Sequence, residues 1–193
     1  MTRFKVISWA AGLVPLGMLI LTSCKAPEPD QAMLEQQARE ITQQFTSTLL
    51  PTLQQALADG GPVNAIEVCA TRAPQIADDL SNSTSWSVNR VSLKARNQQR
   101  AIPDSWERSV LERFNVDARA GVTAAALNEA AMVEGEFRFM QAQVAMPLCL
   151  TCHGENLSED VNAALRQHYP DDLATGYSAG DVRGAISLRY RPN

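Results

Sequence analysis

The residues of this 193-residue chain best arranged for chemistry are Cys149, Cys152 and His153, in the run Cys149-Leu150-Thr151-Cys152-His153 followed by Gly154. C-x-x-C-H is the attachment signature of c-type haem. Each thiol adds across one porphyrin vinyl group to form a thioether, and two intervening residues let both sulfurs reach adjacent vinyls. The histidine follows directly and brings its imidazole beneath the iron as proximal axial ligand. The same spacing also admits half of a zinc site or a thioredoxin-like redox pair. Zinc requires two further ligands. The chain has four Cys and two His, so only Cys69 and His168 remain once Cys24 is set aside. A thioredoxin-like pair requires no histidine. The motif therefore favours one covalently attached haem c over a zinc-stabilised structural domain.

The N-terminus supports that reading. Arg3 and Lys5 precede an apolar run, Val6 to Leu21, interrupted by Gly12, Pro15 and Gly17 and ending in Leu21-Thr22-Ser23-Cys24. The run is too short and too broken for a membrane span, and it fits an export leader. A branched apolar residue, two small residues and a Cys make a lipoprotein cleavage box. Residues 1–23 are then a signal peptide and Cys24 is the lipidated first residue of the mature protein. The alternative is a secretory leader with an incidental Cys. Both readings put the protein in the extracytoplasmic (periplasmic) space, where bacteria assemble haem c. Lys25 stands where an acidic residue would favour inner-membrane retention, a pointer to the outer membrane. Residues 24–30 read as a polar tether. Residues 31–193 form a single domain, long enough for a proper core.

The formal net charge is −4 and no basic cluster occurs, which argues against a nucleic-acid partner. No acid–base or nucleophile constellation is evident beyond the haem motif, so an enzyme is not expected. Cys69 is left as an unpaired thiol in an oxidising compartment. Two readings stand for it: a buried, inert thiol that packs as a small hydrophobe, or an axial iron ligand opposite His153, deprotonated by the metal. Small cytochromes place a ligating Met downstream of the motif. No Met follows His153 here, and Met132, Met140 and Met146, which precede it, read as core or pocket wall. His168 lies at a polar helix end and reads as a surface or capping residue.

The elements that must hold these groups follow from periodicity. Leu34, Ala38, Ile41, Phe45, Leu49, Leu53 and Leu57 recur at helical spacing and predict a helix from Gln31 to Ala58, with Pro51 kinking or splitting it. Gly60-Gly61-Pro62 is a stop, and a second helix to Leu80 carries Cys69 on its apolar face, with Pro74 as a disturbance. Residues 81–84 read as a loop. Trp86 to Leu93 alternates as a strand. Asp104 is a helix cap before Trp106, Val110, Leu111 and Phe114. Residues 121–129 show no clear pattern. Further strands are predicted over Glu134 to Met146 and Gly184 to Arg191, with a helix near Ser158 to Arg166. The class is α+β: helices first, then an antiparallel sheet with helical insertions. Haem-bearing four-helix bundles end shortly after their motif, whereas here forty residues follow His153 with strand-like character.

Several blocks in fixed order resemble a domain-of-unknown-function family of single-haem c-type proteins with a PAS-like fold. Its members occur as free exported proteins and as input domains of bacterial receptors. The blocks are residues 64–69 ending in Cys69, residues 73–77, 90–94 with Arg96-Asn97, 103–107, 149–154, and a final set through Tyr169, Asp172, Tyr177, Asp181 and Arg183. The resemblance implies that Cys69 is the second axial ligand. It makes Arg90, Lys94, Arg96, Tyr177 and Arg183 candidates for the haem surroundings: Arg90 and Arg96 as partners for propionates or as solvated strand-end charges, and Arg183 as a propionate clamp or an ion pair with Asp181 or Asp172. Asn89 stands where the family often has Gly, and Gln98-Gln99 replace a more Pro-rich turn. The expected function is a redox role, either redox or small-ligand sensing or plain electron carriage, with a partner protein that the chain does not name.

Overall fold

A computed structural model describes residues 1–2 and 30–192. Residues 3–29, which hold most of the expected signal peptide, the expected lipidation site Cys24 and nearly all of the expected tether, lie outside the described residues. Helix α1 (Gln31–Ser83) opens the domain. Strand β1 (Trp86–Val91), helix α2 (Ser105–Arg119), strands β2 (Asn128–Val133) and β3 (Glu136–Val144), the short helix α3 (Leu150–His153), helix α4 (Glu159–His168) and strand β4 (Val182–Tyr190) follow. The four strands form one antiparallel sheet in the order β1-β4-β3-β2. This is the expected α+β class and is consistent with a PAS-like arrangement. Among the described residues no helix is long and apolar enough to cross a membrane.

α1 is two helical arms joined at Gly60 and Gly61. Gly61 has φ 70° and ψ −164°, a conformation essentially closed to side-chain-bearing residues. The chain therefore turns back, and Ile76, Ala77 and Leu80 of the second arm meet Leu34, Ala38, Ile41 and Phe45 of the first in one cluster. The expected break at Pro51 does not occur, nor does one at Pro74, since the backbone stays helical at both. At Pro51 the carbonyl left without a donor belongs to Ser47, which is exposed and so open to solvent. The helix also outlasts its expected end. Hydroxyls of Ser81, Ser83 and Thr84 bond back to Ala77, Asp79 and Leu80 carbonyls and carry it to Ser83.

The sheet is covered on both faces. Trp86, Val88, Phe137, Phe139, Ile186 and Leu188 face α1. Val91, Met140, Ala142, Val182 and Ala185 face Val110, Leu111 and Phe114 of α2. The period-two alternation of strands produces this division. β2 was not expected from the pattern. Its six residues are mostly half-buried and do not alternate, so they carry no strand signature. Glu134 (φ 52°) and Gly135 (φ 86°) form the tight turn of the β2–β3 hairpin, so β3 begins two residues later than predicted. β1 stops at Val91 rather than Leu93 because Ser92 N–H bonds to Ala101 O and closes a loop.

Two local features carry stability predictions. α2 opens with a capping box: Asp104 accepts from Glu107 N–H, and the Glu107 carboxylate accepts from Asp104 N–H, each at 2.8 Å. Glu107 is also buried against Arg138 at 3.0 Å and accepts from Ser187 at 2.7 Å. Glu107→Ala removes the side-chain half of the capping box and leaves the Arg138 guanidinium with Asp104 as its remaining partner. The expected loss is about 3 kcal/mol in chemical denaturation. Gly184 lies where β4 crosses the end of β1. An added Cβ would stand 2.5 Å from Val91 O and 3.2 Å from Ser92 Cβ. Because the nearest atom is backbone, Gly184→Ala is expected to cost about 1–3 kcal/mol by the same measurement.

Candidate functional site

The C-x-x-C-H run is set at the end of β3. Ala145 N–H bonds to Asp181 O and Gly180 N–H to Ala145 O, which pins the chain as it leaves the sheet. Pro147 then starts a single tight turn, Pro147–Cys149, that runs directly into α3. Helical spacing puts Cys149, Cys152 and His153 on one side of this short helix. Gly154 ends it with its N–H on Leu150 O, and a Cβ there would lie 2.6 Å from that oxygen. Behind, α4 is capped by Ser158 and buries Val161, Ala164 and Leu165 against Ile66 of α1. That contact brings the motif against the second arm of α1, three residues from Cys69.

His153 is held from two sides by the loop before β4. Its Nδ1 lies 2.7 Å from Ala174 O, and its backbone carbonyl accepts from Tyr177 N–H. A carbonyl can only accept, so Nδ1 carries the proton and Nε2 presents a lone pair. Burial, and then the nearby Arg183 and Arg96 charges, push the imidazole well below its usual pKa, against the opposing Ala174 bond. The ring is therefore neutral at ordinary pH, the form that binds a metal, with its other nitrogen anchored on a backbone carbonyl. Arg183 Nε donates to Nε2 at 3.3 Å, and Tyr177 stands edge-on to the ring at 6.2 Å.

The Ala174 carbonyl is itself set by Arg96. That guanidinium is buried, pairs with Asp172 at 3.0 Å, and donates to Cys152 O at 2.5 Å and Ala174 O at 3.2 Å. Arg96 is thus the tie between the motif and the loop that orients its histidine. The two departures from the family pattern are also tied in. Asn89 donates to Arg100 O, and Gln98 donates to Ala95 O and Asp171 O.

These groups open on one cavity of ≈ 360 Å³ between α1 and the sheet, within the range of cofactor sites. Cys69, Cys149, Cys152 and His153 all line it. Its long wall is apolar, with Leu49, Leu50, Leu53 and Leu57 from the first arm of α1, three of which sequence periodicity assigns simply to a core face. Its polar lining holds Arg90, Arg96, Arg100 and Arg183 and, among the described residues, no Asp or Glu. Arg96 and Arg100 have carboxylate partners in Asp172 and Asp78. Arg90 and Arg183 have none within salt-bridge distance among the described residues. Burial lowers the pKa of both, and Arg183, further depressed by Arg90 and Arg96, falls to about 9. Burial raises the Cys69 thiol, while Arg90, Arg96 and Arg183 draw it back down.

This lining suits a haem. It offers two thiols and a neutral imidazole from the motif, a third thiol from α1, an apolar wall of leucines, and two guanidiniums without carboxylates among the described residues. Lys94 and Tyr177 do not line it. Lys94 is exposed, donates to Thr175 O and stands 4.8 Å from the Tyr177 ring, so this pair backs the histidine loop instead. Of the methionines, Met146 reaches the cavity, Met140 is fully buried, and Met132 is half exposed on β2 and belongs to neither core nor pocket. His168, half-buried at the end of α4, lies outside the cavity. Sequence reasoning did not find Thr42 or Gln143, which line the cavity, and named Tyr169 in a resemblance block without giving it a place there. Only the three-residue spacing of Thr42 from Phe45 on the buried face of α1 hinted at the first.

The Tll0287-like family model matches residues 28–191. Among solved structures, the chain is similar to one described as the crystal structure of the cyanobacterial heme-protein Tll0287. The TM-score is 0.59 at 20% identity, over 84% of this chain and 94% of that one. No curated protein matches.

Proposed function

Because this chain belongs to the Tll0287-like family, we propose that it is an exported, single-haem c-type protein with a redox role, lipid-anchored through Cys24 on the extracytoplasmic side. One observation carries the reading. Cys149, Cys152 and His153 of one motif and the distant Cys69 of α1 line one cavity whose charged lining is entirely cationic among the described residues. The relative of similar fold is described as a heme-protein. Bound haem supplies one-electron chemistry at iron. The residues supply the rest. Cys149 and Cys152 would each add S–H across a vinyl C=C, the sulfur taking one carbon and the hydrogen the other, with no net oxidation. His153, oriented by Ala174, would ligate through Nε2. Cys69 would be the second iron ligand, as a thiolate. Arg90 and Arg183 would pair with the propionates.

The test is an optical spectrum of the mature protein, produced in a host with haem-c maturation. We expect a haem spectrum that survives acid–acetone extraction. A colourless protein carrying zinc would overturn the proposal. Carbon monoxide added to the reduced form then separates two kinds of redox role. Binding means that Cys69 gives way on reduction, as a sensor requires. A spectrum indifferent to the gas means a fixed ligand pair, as a carrier requires.

A further inference from the structure

Thr42 stands on the cavity-facing side of α1 and is 7% exposed, yet its Oγ1 has no hydrogen-bond partner among the described residues. Its neighbours behave differently. Thr46 Oγ1 donates to Thr42 O at 3.0 Å, Thr48 to Gln44 O at 2.8 Å, and Thr52 to Thr48 O at 2.8 Å. Bonding back to the preceding turn is the ordinary outcome for a hydroxyl on this helix. Thr42 forgoes it while lining the cavity. Buried polar groups without partners are rare enough to require an explanation.

The surroundings indicate what is missing. Phe45 follows Thr42 at helical spacing on the same face, and the Arg90 guanidinium stands 6.0 Å from the Phe45 ring. Arg90 Nε donates to Gln143 Oε1 at 3.0 Å. That bond uses the acceptor end of the amide and leaves its NH₂ as the end available to the cavity. The terminal nitrogens of Arg90 are donors only. Thr42, Arg90 and Gln143 thus offer donors to one cavity with no Asp or Glu among its described lining residues. Donors of this kind fit an acceptor-only anion, and a carboxylate is the one that a porphyrin brings.

We propose that Thr42, Arg90 and Gln143 form a carboxylate seat that holds one haem propionate. The seat selects the free-acid porphyrin and sets its orientation in the cavity. This inference rests on the haem reading above, and its test separates the two. The full chain carrying Cys149→Ser and Cys152→Ser is expected to bind porphyrin reversibly. It is titrated with ferric protoporphyrin IX and with the dimethyl ester of the same compound, which keeps the macrocycle and loses both charges. The free acid is expected to bind more tightly. Thr42→Val is expected to weaken the free acid about tenfold or more, as loss of a hydrogen bond to a charged group does, and to leave the ester within about twofold. Thr42→Ser restores the preference. Should Thr42→Val fail to fold by circular dichroism, Gln143→Leu is read in the same way. Equal weakening of both porphyrins, or of neither, overturns the seat while leaving haem binding intact. If neither porphyrin binds, and the wild-type chain takes up no haem during maturation, the haem reading falls and the seat with it.

Discussion

With Cys149 and Cys152 both replaced by serine, the protein made in a haem-c-maturing host is expected to carry no chromophore that survives acid–acetone. The loss is all-or-none because the two thioethers are the only covalent links the motif provides. Single replacements leave one bond and should retain an acid-stable chromophore at reduced yield. The other groups that would hold haem are untouched by the double replacement. His153 keeps its 2.7 Å anchor on Ala174 O, and Arg96 keeps its bonds to the Cys152 and Ala174 carbonyls, neither of which involves a sulfur. Reversible binding should therefore persist after covalent attachment is gone. An acid-stable chromophore in the double variant would show that attachment does not run through this pair.

Cys69→Ser is expected to raise the reduction potential by on the order of 0.1 V or more, since axial ligands move haem potentials over about 0.8 V. Two effects act in the same direction. A thiolate donates charge and stabilises ferric iron, and a serine hydroxyl does so far less. A ligating Cys69 thiolate would also sit among Arg90, Arg96 and Arg183, so its removal would leave those positive charges to favour the electron. The ferric spectrum should lose its thiolate features together with the shift. Potentiometric titration followed optically reads both. An unchanged potential and spectrum would return Cys69 to the other reading, a buried thiol that packs and does nothing more.

Legibility in the sequence followed the range of each interaction. The C-x-x-C-H motif was readable because its chemistry lies within five consecutive residues. The α2 cap was readable because Asp104 and Glu107 are one helical turn apart and satisfy each other. β1, β3 and β4 announced themselves by alternation, each having one side turned to α1 and the other to α2 or solvent. β2 did not, because its residues are all partly exposed and owe their strand to the hairpin with β3. Pro51 misled because a proline's cost depends on whether the freed carbonyl meets water, which sequence does not say.

The candidate site divides along the same line. Sequence alone determined the thiols, the imidazole and the inward-facing Cys69, since residue type and local spacing decide those. It also marked Arg90, Lys94, Arg96, Tyr177 and Arg183 as a set. Only the tertiary structure separated that set into roles. Arg96 is committed to Asp172, seventy-six residues away, while Arg90 and Arg183 line the cavity without a carboxylate partner among the described residues. Lys94 and Tyr177 back the histidine loop. The partner of His153 is a backbone carbonyl, and the unmet hydroxyl belongs to one threonine among several on the same helix. Neither has a sequence signature. Whether a buried polar group is satisfied depends on what the folded chain brings within about 3 Å of it, and that distance exists only once α1 has turned back at Gly61 and closed over the sheet.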